Sequence, residues 1–203
     1  MIPAIILAAG QSSRMGQPKA LLAAGSDGGT FVGRLARALL DGGVADVLVV
    51  GRPDDEALRA EVQRIGDAGA AVRLVINAHP DRGQLSSLLA GLNAADRPGV
   101  TGVLVTPVDA PMILPATVRV LLAEFSAAPH AIVRAAFQGR HGHPVIFARR
   151  HFDDLRHADP SVGAKAVIRA HAGSVLTVDV SDPGVIQDID GPDDYARLFN
   201  APR

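Results

Sequence analysis

A loop rich in glycine, serine and basic residues follows the first apolar run of the chain, in the segment LAAGQSSRMGQPKALL at 7–22. Arg14 and Lys19 supply a guanidinium and an ammonium, and Ser12 and Ser13 add hydroxyl groups. Backbone amides in such a loop, together with two cations, suit a polyphosphate. A guanidinium can grip phosphate oxygens in a bidentate way, whereas an ammonium is a mobile point charge for a triphosphate or a departing pyrophosphate.

Two common nucleotide-binding motifs do not fit this loop. Gly10 and Gly16 are too far apart for GxGxxG, and Lys19 neither adjoins the second glycine nor precedes a Ser or Thr, as a Walker loop requires. A surface loop with turn-forming glycines and solvated cations is equally compatible with the composition. Lys19 still stands out, because only it and Lys165 are lysines among the 20 basic residues.

An aspartate follows a second apolar run, in TPVDAP at 106–111. If GVLV at 102–105 is a parallel strand, Asp109 projects into the crevice where open α/β sheets bind ligands. A carboxylate there suits Mg²⁺, which takes oxygen ligands and bridges substrate phosphates. The alternative is an aspartate that caps the turn before Pro111.

A second acidic motif, DIDGPDDY, lies at 188–195. Pro192 is predicted to begin a helix, because proline is favoured in the first helical turn. Asp190, just before that helix, could reach the same metal as Asp109. Asp188 is expected to face away from the crevice.

Composition restricts the classes of function. The 203 residues carry a net charge of −1 with 3% aromatic residues, so neither nucleic acid nor an anionic membrane is an expected partner. Cysteine is absent, which excludes thiolate chemistry. We expect a single domain over residues 1–203, since no linker or repeat is visible, and a cytoplasmic protein, since no apolar run approaches the roughly 20 residues of a membrane span.

Short apolar runs alternate with segments of helical periodicity. The predicted strands are 3–7, 46–50, 72–76, 102–106, 131–135, 143–147 and 175–179. The predicted helices between them are 31–40, 56–65, 86–95 and 116–125. This alternation predicts a mostly parallel sheet covered by helices on both sides, with strands buried on both faces. The adjacent runs on either side of FQGRHG, at 137–142, predict a small antiparallel ribbon at the edge of the sheet.

The segment LAAGQSSRMGQPKALL closely resembles the signature of nucleotidyltransferases with a Rossmann-like fold, and among them the molybdenum cofactor cytidylyl- and guanylyltransferases. Four further segments are similar to that family in order and spacing: NAHPDRGQLSSLLAGL at 77–92, TPVDAP at 106–111, GRHGHPVIF at 139–147 and DIDGPDDYARL at 188–198. The resemblance covers nearly the whole chain. It implies a three-layer α/β/α fold.

The resemblance also implies roles for individual residues. Lys19, Arg14 and Asp109 are the implied catalytic residues, and Asp109 and Asp190 the implied ligands of Mg²⁺. The implied nucleotide-binding residues are Leu7, Ala8, Ala9, Gly10, Arg14, Gly16, Lys19, Asn77, Gly83 and Ser87. Arg140 and His143 are the implied acceptor-binding residues.

The sequence departs from the family pattern at two places. PSVG at 160–163 has no aspartate beside Gly163, which weakens an acceptor role for that loop. Gly191 replaces the usual threonine, which leaves the cap of the following helix in doubt. His141 and His143 could ligate a metal from one face of a strand, but no third ligand has suitable spacing.

The resemblance implies transfer of CMP from CTP to the phosphate of a molybdopterin-type acceptor, with release of pyrophosphate and a molybdoenzyme as a possible recipient. The closest rivals are a guanylyltransferase and a sugar- or polyol-phosphate nucleotidyltransferase. A rival of another class is a non-catalytic cofactor-binding chaperone for molybdoenzymes. The choice of CTP depends on the LAAG…QPKALL pattern, and on Ala9, whose Cβ narrows the space beside the base.

Overall fold

The computed structural model describes residues 1–25, 29–129 and 131–199. Residues 26–28, 130 and 200–203, which the predicted domain includes, lie outside the described residues. The strands are β1 (Ala4–Leu7), β2 (Val47–Gly51), β3 (Val72–Ile76), β4 (Gly102–Pro107), β5 (Ile132–Phe137), β6 (Arg140–Ala148) and β7 (Val175–Asp179). The helices are α1 (Phe31–Asp41), α2 (Glu56–Asp67), α3 (Gln84–Ala95), α4 (Pro115–Ala127), α5 (Phe152–Arg156), α6 (Ala164–Ala170) and α7 (Pro192–Phe199). Every strand and helix predicted from the apolar pattern is confirmed.

The strands form one sheet in the order β3-β2-β1-β4-β6-β5-β7. Only β6 runs antiparallel to its neighbours, β4 and β5, and the remaining pairs are parallel. The mostly parallel sheet with an antiparallel addition is therefore confirmed. The position of the β5–β6 ribbon at the edge was wrong, because β7 pairs with β5 on the outer side and β6 lies inside the sheet.

The predicted burial of strands on both faces is found at the centre of the sheet but not at its edges. All residues of β2 and β4 are buried. In contrast, Arg73 and Ile76 of β3 are exposed, and β7 has no fully buried residue. An edge strand lacks a neighbour on one side and is only partly covered by helices, so the prediction for these two strands was wrong.

Helices cover both faces of the sheet, which confirms the three layers. On one face, α1, α2, α4 and α7 pack around buried side chains such as Phe31 and Phe125. On the other face, α3, α5 and α6 pack around a second set, which includes Leu92 and Phe152. Each such side chain stabilises the fold by about 1.5–3 kcal/mol on burial.

One glycine brings a helix close to the centre of the sheet. A Cβ at Gly91 of α3 would lie 2.6 Å from Ile5 of β1, so only glycine permits this approach. The first turn of α3 is thereby held beside the carboxyl ends of β1 and β2. None of the helices in the described residues has both the length and the apolar character needed to cross a bilayer.

Candidate active site

A cavity of about 460 Å³ opens at the carboxyl ends of β1 and β4. These strands pair in parallel with Leu7 opposite Pro107, so the loops that follow them meet at one edge of the sheet. The cavity is lined by the loop after β1, the first turn of α3, the loop after β4, and Asp190. The predicted residues that line it are Leu7, Ala8, Ala9, Gly10, Arg14, Lys19, Gly83, Ser87, Asp109 and Asp190.

Lys19 lies between the two predicted metal-binding carboxylates. Its Nζ is 2.9 Å from Asp190 Oδ1 and 3.5 Å from Asp109 Oδ2. Its own backbone N–H donates to Ser12 Oγ, which folds the loop back on itself. Arg14 Nη1 lies 3.2 Å from the other oxygen of Asp190, but the Arg14 side chain is 73% exposed, against 11% for Lys19. Lys19 is therefore the largely buried cation of the site and Arg14 the exposed one.

The carboxylates differ in electrostatic environment. Burial raises the pKa of Asp109; Lys19 opposes that effect, and the charges of Asp188 and Asp190 add to it. Asp190 has a lowered pKa, chiefly because Lys19 donates a hydrogen bond to it. Within the described residues, Asp109 Oδ1 is buried without a hydrogen-bond partner. A buried, unpartnered carboxylate oxygen beside a second carboxylate fits an oxygen-ligated divalent cation.

The two acidic segments are joined directly. The backbone N–H of Ile189 donates to the carbonyl of Asp109 over 2.8 Å. Helix α7 begins at Pro192, as predicted. Asp194 Oδ2 accepts hydrogen bonds from the N–H groups of Asp190 and Gly191, which is the contact that the third helical residue makes in a capping box; Gly191 has no hydroxyl to make the reciprocal contact of a threonine.

Asn77 and Gly16, both predicted to bind nucleotide, do not line this cavity. Asn77 is 3% exposed, and its Nδ2 donates to the hydroxyls of Ser86 and Ser87, behind the cavity wall. Asn77 thus positions Ser87 from behind. Gly16 lies in the loop with φ +70° and is exposed.

A second cavity of about 650 Å³ adjoins the first and shares Leu7 and Gln84 with it. Its walls include Arg140 and His143, the predicted acceptor-binding residues, and further basic residues that sequence reasoning did not assign to an acceptor: Arg134, His141, Lys165 and Arg169. Lys165 and Arg169 lie on α6, directly after the PSVG segment. The scarcity of lysine in the chain was the signal that could have identified Lys165.

Asp188 also lines the second cavity, so the expectation that it faces away from the crevice was wrong. Residues 188–190 lie outside the helices and strands, and Ile189 is fully buried in the core, whereas the aspartates on either side of it line the two cavities. Asp188 and Asp190 must therefore both point away from the core. Burial raises the pKa of Asp188, and the charge of Asp190 adds to this effect.

His143 is a half-buried imidazole in the wall of the second cavity. Burial lowers its pKa, Asp109 opposes this shift and Lys165 adds to it. Its Nδ1 is buried and has no hydrogen-bond partner in the part of the chain that the structure describes. Gly142 beside it packs against the carbonyl of Val185, which leaves no room for a Cβ and fixes β6 against the C-terminal segment.

Comparison with known proteins places this geometry in a family. The model of a protein family described as "MobA-like NTP transferase domain" matches residues 4–175 of this chain. The purine catabolism protein PucB of Bacillus subtilis is 27% identical over 205 residues, which cover 97% of this chain and 95% of PucB. A probable molybdenum cofactor guanylyltransferase of Rhodopirellula baltica is 39% identical over 108 residues, which cover 53% of this chain and 47% of that protein.

A solved structure is similar over nearly its whole length. Rv0371c of Mycobacterium tuberculosis is 30% identical, with a TM-score of 0.75 and coverage of 98% of this chain and 97% of that chain. A second crystal structure of Rv0371c is a complex with manganese; it is 27% identical, with a TM-score of 0.69 and 99% coverage of both chains.

Proposed function

The chain belongs to the MobA-like NTP transferase family of nucleotidyltransferases, and on that premise we propose that it transfers CMP from CTP to the phosphate of a molybdopterin-type acceptor. One observation carries the proposal: the cavity that contains Lys19 and the two carboxylates adjoins a second cavity with a basic lining. A triphosphate in the first cavity and an anionic acceptor in the second would meet beside Asp109.

The first cavity supplies charge neutralisation for the triphosphate. Asp109 and Asp190 would hold Mg²⁺, which neutralises charge on the phosphates when bound. The manganese complex of Rv0371c supports a divalent cation in a protein of this fold. Lys19 contacts both of these carboxylates, so its ammonium would be available to the phosphates once the carboxylate charge is shared with a cation. Arg14 then adds a mobile guanidinium from solvent.

The second cavity supplies the nucleophile. An acceptor phosphate carries roughly −1.5 to −2 charge near neutral pH, so it needs no general base. Its oxygen attacks the α-phosphorus, the bond to the β-phosphate oxygen breaks, and pyrophosphate leaves. Arg140 and Lys165 contribute by holding the acceptor phosphate in line for attack.

Several observations bear on the rival functions. The first cavity contains Ala9, which is 5% exposed, and its Cβ favours a one-ring base over a purine. The relative in Rhodopirellula baltica supports GTP instead. A sugar or polyol phosphate would also suit the basic second cavity. A non-catalytic chaperone has no need for Lys19, Asp109 and Asp190 in one cluster, which favours an enzyme.

Acceptor screening tests this proposal. The protein, CTP and Mg²⁺ are incubated with molybdopterin, a hexose phosphate or a polyol phosphate, and the products are identified by mass spectrometry. We expect a cytidine dinucleotide only with molybdopterin. Arg140→Ala should raise the acceptor KM and leave the nucleotide KM unchanged. Arg119→Ala should change neither, because the guanidinium of Arg119 donates to the backbone carbonyl of Asp41 in α1 and lines neither cavity. A product with a sugar or polyol phosphate alone would contradict the acceptor assignment.

A further inference from the structure

Two histidines and an aspartate form a cluster outside both cavities. One potential ligand atom from each of His151, Asp154 and His171 lies within 4.8 Å of the others. His171 Nε2 is 2.9 Å from Asp154 Oδ2, and His151 Nδ1 is 3.3 Å from the same oxygen. The two imidazole rings are 4.4 Å apart. Two ring nitrogens and one carboxylate oxygen thus lie close enough to share one metal ion.

Local structure explains this convergence. His151 ends a 3-10 turn at Arg149–His151 that leads directly into α5. Asp154 follows three residues later, so both side chains lie on one face of the helix. His171 follows the last residue of α6, which packs beside α5. His151 is 2% exposed, whereas Asp154 and His171 remain accessible to an ion from solvent.

We infer that this cluster, His151, Asp154 and His171, binds a divalent transition-metal ion of the zinc class. Bonds of about 2.0–2.1 Å in a tetrahedral site place neighbouring ligand atoms about 3.3 Å apart, close to the two measured separations. Imidazole ligands favour Zn²⁺ over Mg²⁺, which prefers oxygen. The cluster therefore differs in metal preference from the oxygen-only pair Asp109 and Asp190.

Metal binding requires a change of proton position on His151. Arg150 Nε donates to His151 Nε2 over 3.2 Å, which leaves the imidazole proton on Nδ1, towards Asp154. The metal takes the place of that proton at Nδ1 while Nε2 takes up a proton in exchange, so His151 binds as neutral imidazole with no net proton release. The Arg150 side chain is exposed and can turn away when Nε2 becomes a donor.

The position of the cluster indicates a structural role for the ion. It joins α5 to the C-terminal end of α6, and α6 carries Lys165 and Arg169 into the second cavity. A metal at this point fixes the helix that presents those two cations. Three protein ligands leave a further coordination position for water.

The test is metal titration of the intact chain, first stripped with a chelator and then kept in excess Mg²⁺ so that the carboxylate pair is saturated. Zn²⁺ binding is followed by calorimetry, and Co²⁺ binding by visible absorption. We expect one equivalent of each. His171→Ala and Asp154→Asn should each weaken binding more than about tenfold, the range seen when even an outer partner of a metal ligand is lost.

Matched controls separate this cluster from other histidines. His157→Ala, in which an exposed histidine next to α5 is removed, should leave Zn²⁺ affinity unchanged. Circular dichroism establishes that each variant is folded. Failure of the unmodified protein to bind Zn²⁺, unchanged affinity in both His171→Ala and Asp154→Asn, or loss of binding in His141→Ala would each overturn the inference.

Discussion

Lys19 Nζ donates to Asp190 Oδ1 over 2.9 Å, although the two residues are 171 positions apart in the chain. This hydrogen bond joins the loop after β1 to the segment before α7. Asp109, which follows β4, contacts the same ammonium. Three distant segments therefore converge on one cation at the carboxyl edge of the sheet, and the predictions below separate what each contributes.

Replacement of Lys19 should impair chemistry more than folding. A charge-assisted hydrogen bond is worth about 1.5–3 kcal/mol, so Lys19→Ala should lower kcat at least about tenfold. Steady-state kinetics with saturating nucleotide and a thermal melt measure the two effects. Arg59→Ala is the control, because it also removes one positive charge but breaks only an exposed ion pair with Glu56. It should leave kcat unchanged. Equal kcat in Lys19→Ala and the unmodified enzyme would refute the role of Lys19.

Removal of the metal should abolish turnover. We expect EDTA to stop pyrophosphate release and Mg²⁺ or Mn²⁺ to restore it, because in the proposed function Asp109 and Asp190 hold a cation that neutralises the phosphates. Asp109→Asn should be far less active at any metal concentration. Asp188→Asn should instead change the acceptor KM, because Asp188 lines the second cavity. An inactive Asp188→Asn beside a normal Asp109→Asn would show that the ligands have been assigned incorrectly.

The sequence predicted the sheet well because parallel strands that are buried on both faces have continuous apolar sequences. It failed at β3 and β7, where partial exposure depends on neighbours far away in the chain. It also failed for Asp188, whose direction follows from the burial of Ile189 and not from spacing to any motif. Lys165 was missed for a similar reason: its place in the second cavity is set by how α6 packs against the sheet.

Asp182 should matter for stability, not for chemistry. This buried carboxylate accepts hydrogen bonds from the N–H of Leu114, the hydroxyl of Thr117 and the N–H of Gly184. Asp182→Ala leaves these donors without their acceptor and should lower the free energy of unfolding by about 2–4 kcal/mol. Urea denaturation measures the change. Asp179→Ala, at an exposed position, should alter it by less than about 0.5 kcal/mol; similar values for both variants would contradict the assignment.

Glu61 should make the free energy of unfolding depend on pH. Hydrogen bonds from Arg64 lower its pKa from the ordinary 4.5; burial opposes this shift, and the Thr30 hydroxyl supports it. A carboxyl whose pKa is lower in the folded state stabilises the fold above its unfolded pKa, and this contribution is lost as the pH falls. Glu61→Gln should therefore destabilise the protein near pH 7, and its difference from the unmodified protein should shrink below pH 4.5. Urea denaturation of both proteins at several pH values measures this difference in the free energy of unfolding, and Glu56→Gln is the surface control. A difference between Glu61→Gln and the unmodified protein that grows as the pH falls would contradict the prediction.

Nucleotide choice tests the central claim most directly. Pyrophosphate release is measured with molybdopterin and each of the four nucleoside triphosphates, for the unmodified enzyme and for Ala9→Gly. We expect release with CTP to exceed release with GTP, and Ala9→Gly to narrow that difference, since a misfit methyl group in a packed site costs roughly 1–3 kcal/mol. Release that requires both CTP and the acceptor would support the proposed cytidylyl transfer. Preference for GTP, or no release with any nucleotide in the presence of molybdopterin, would contradict it.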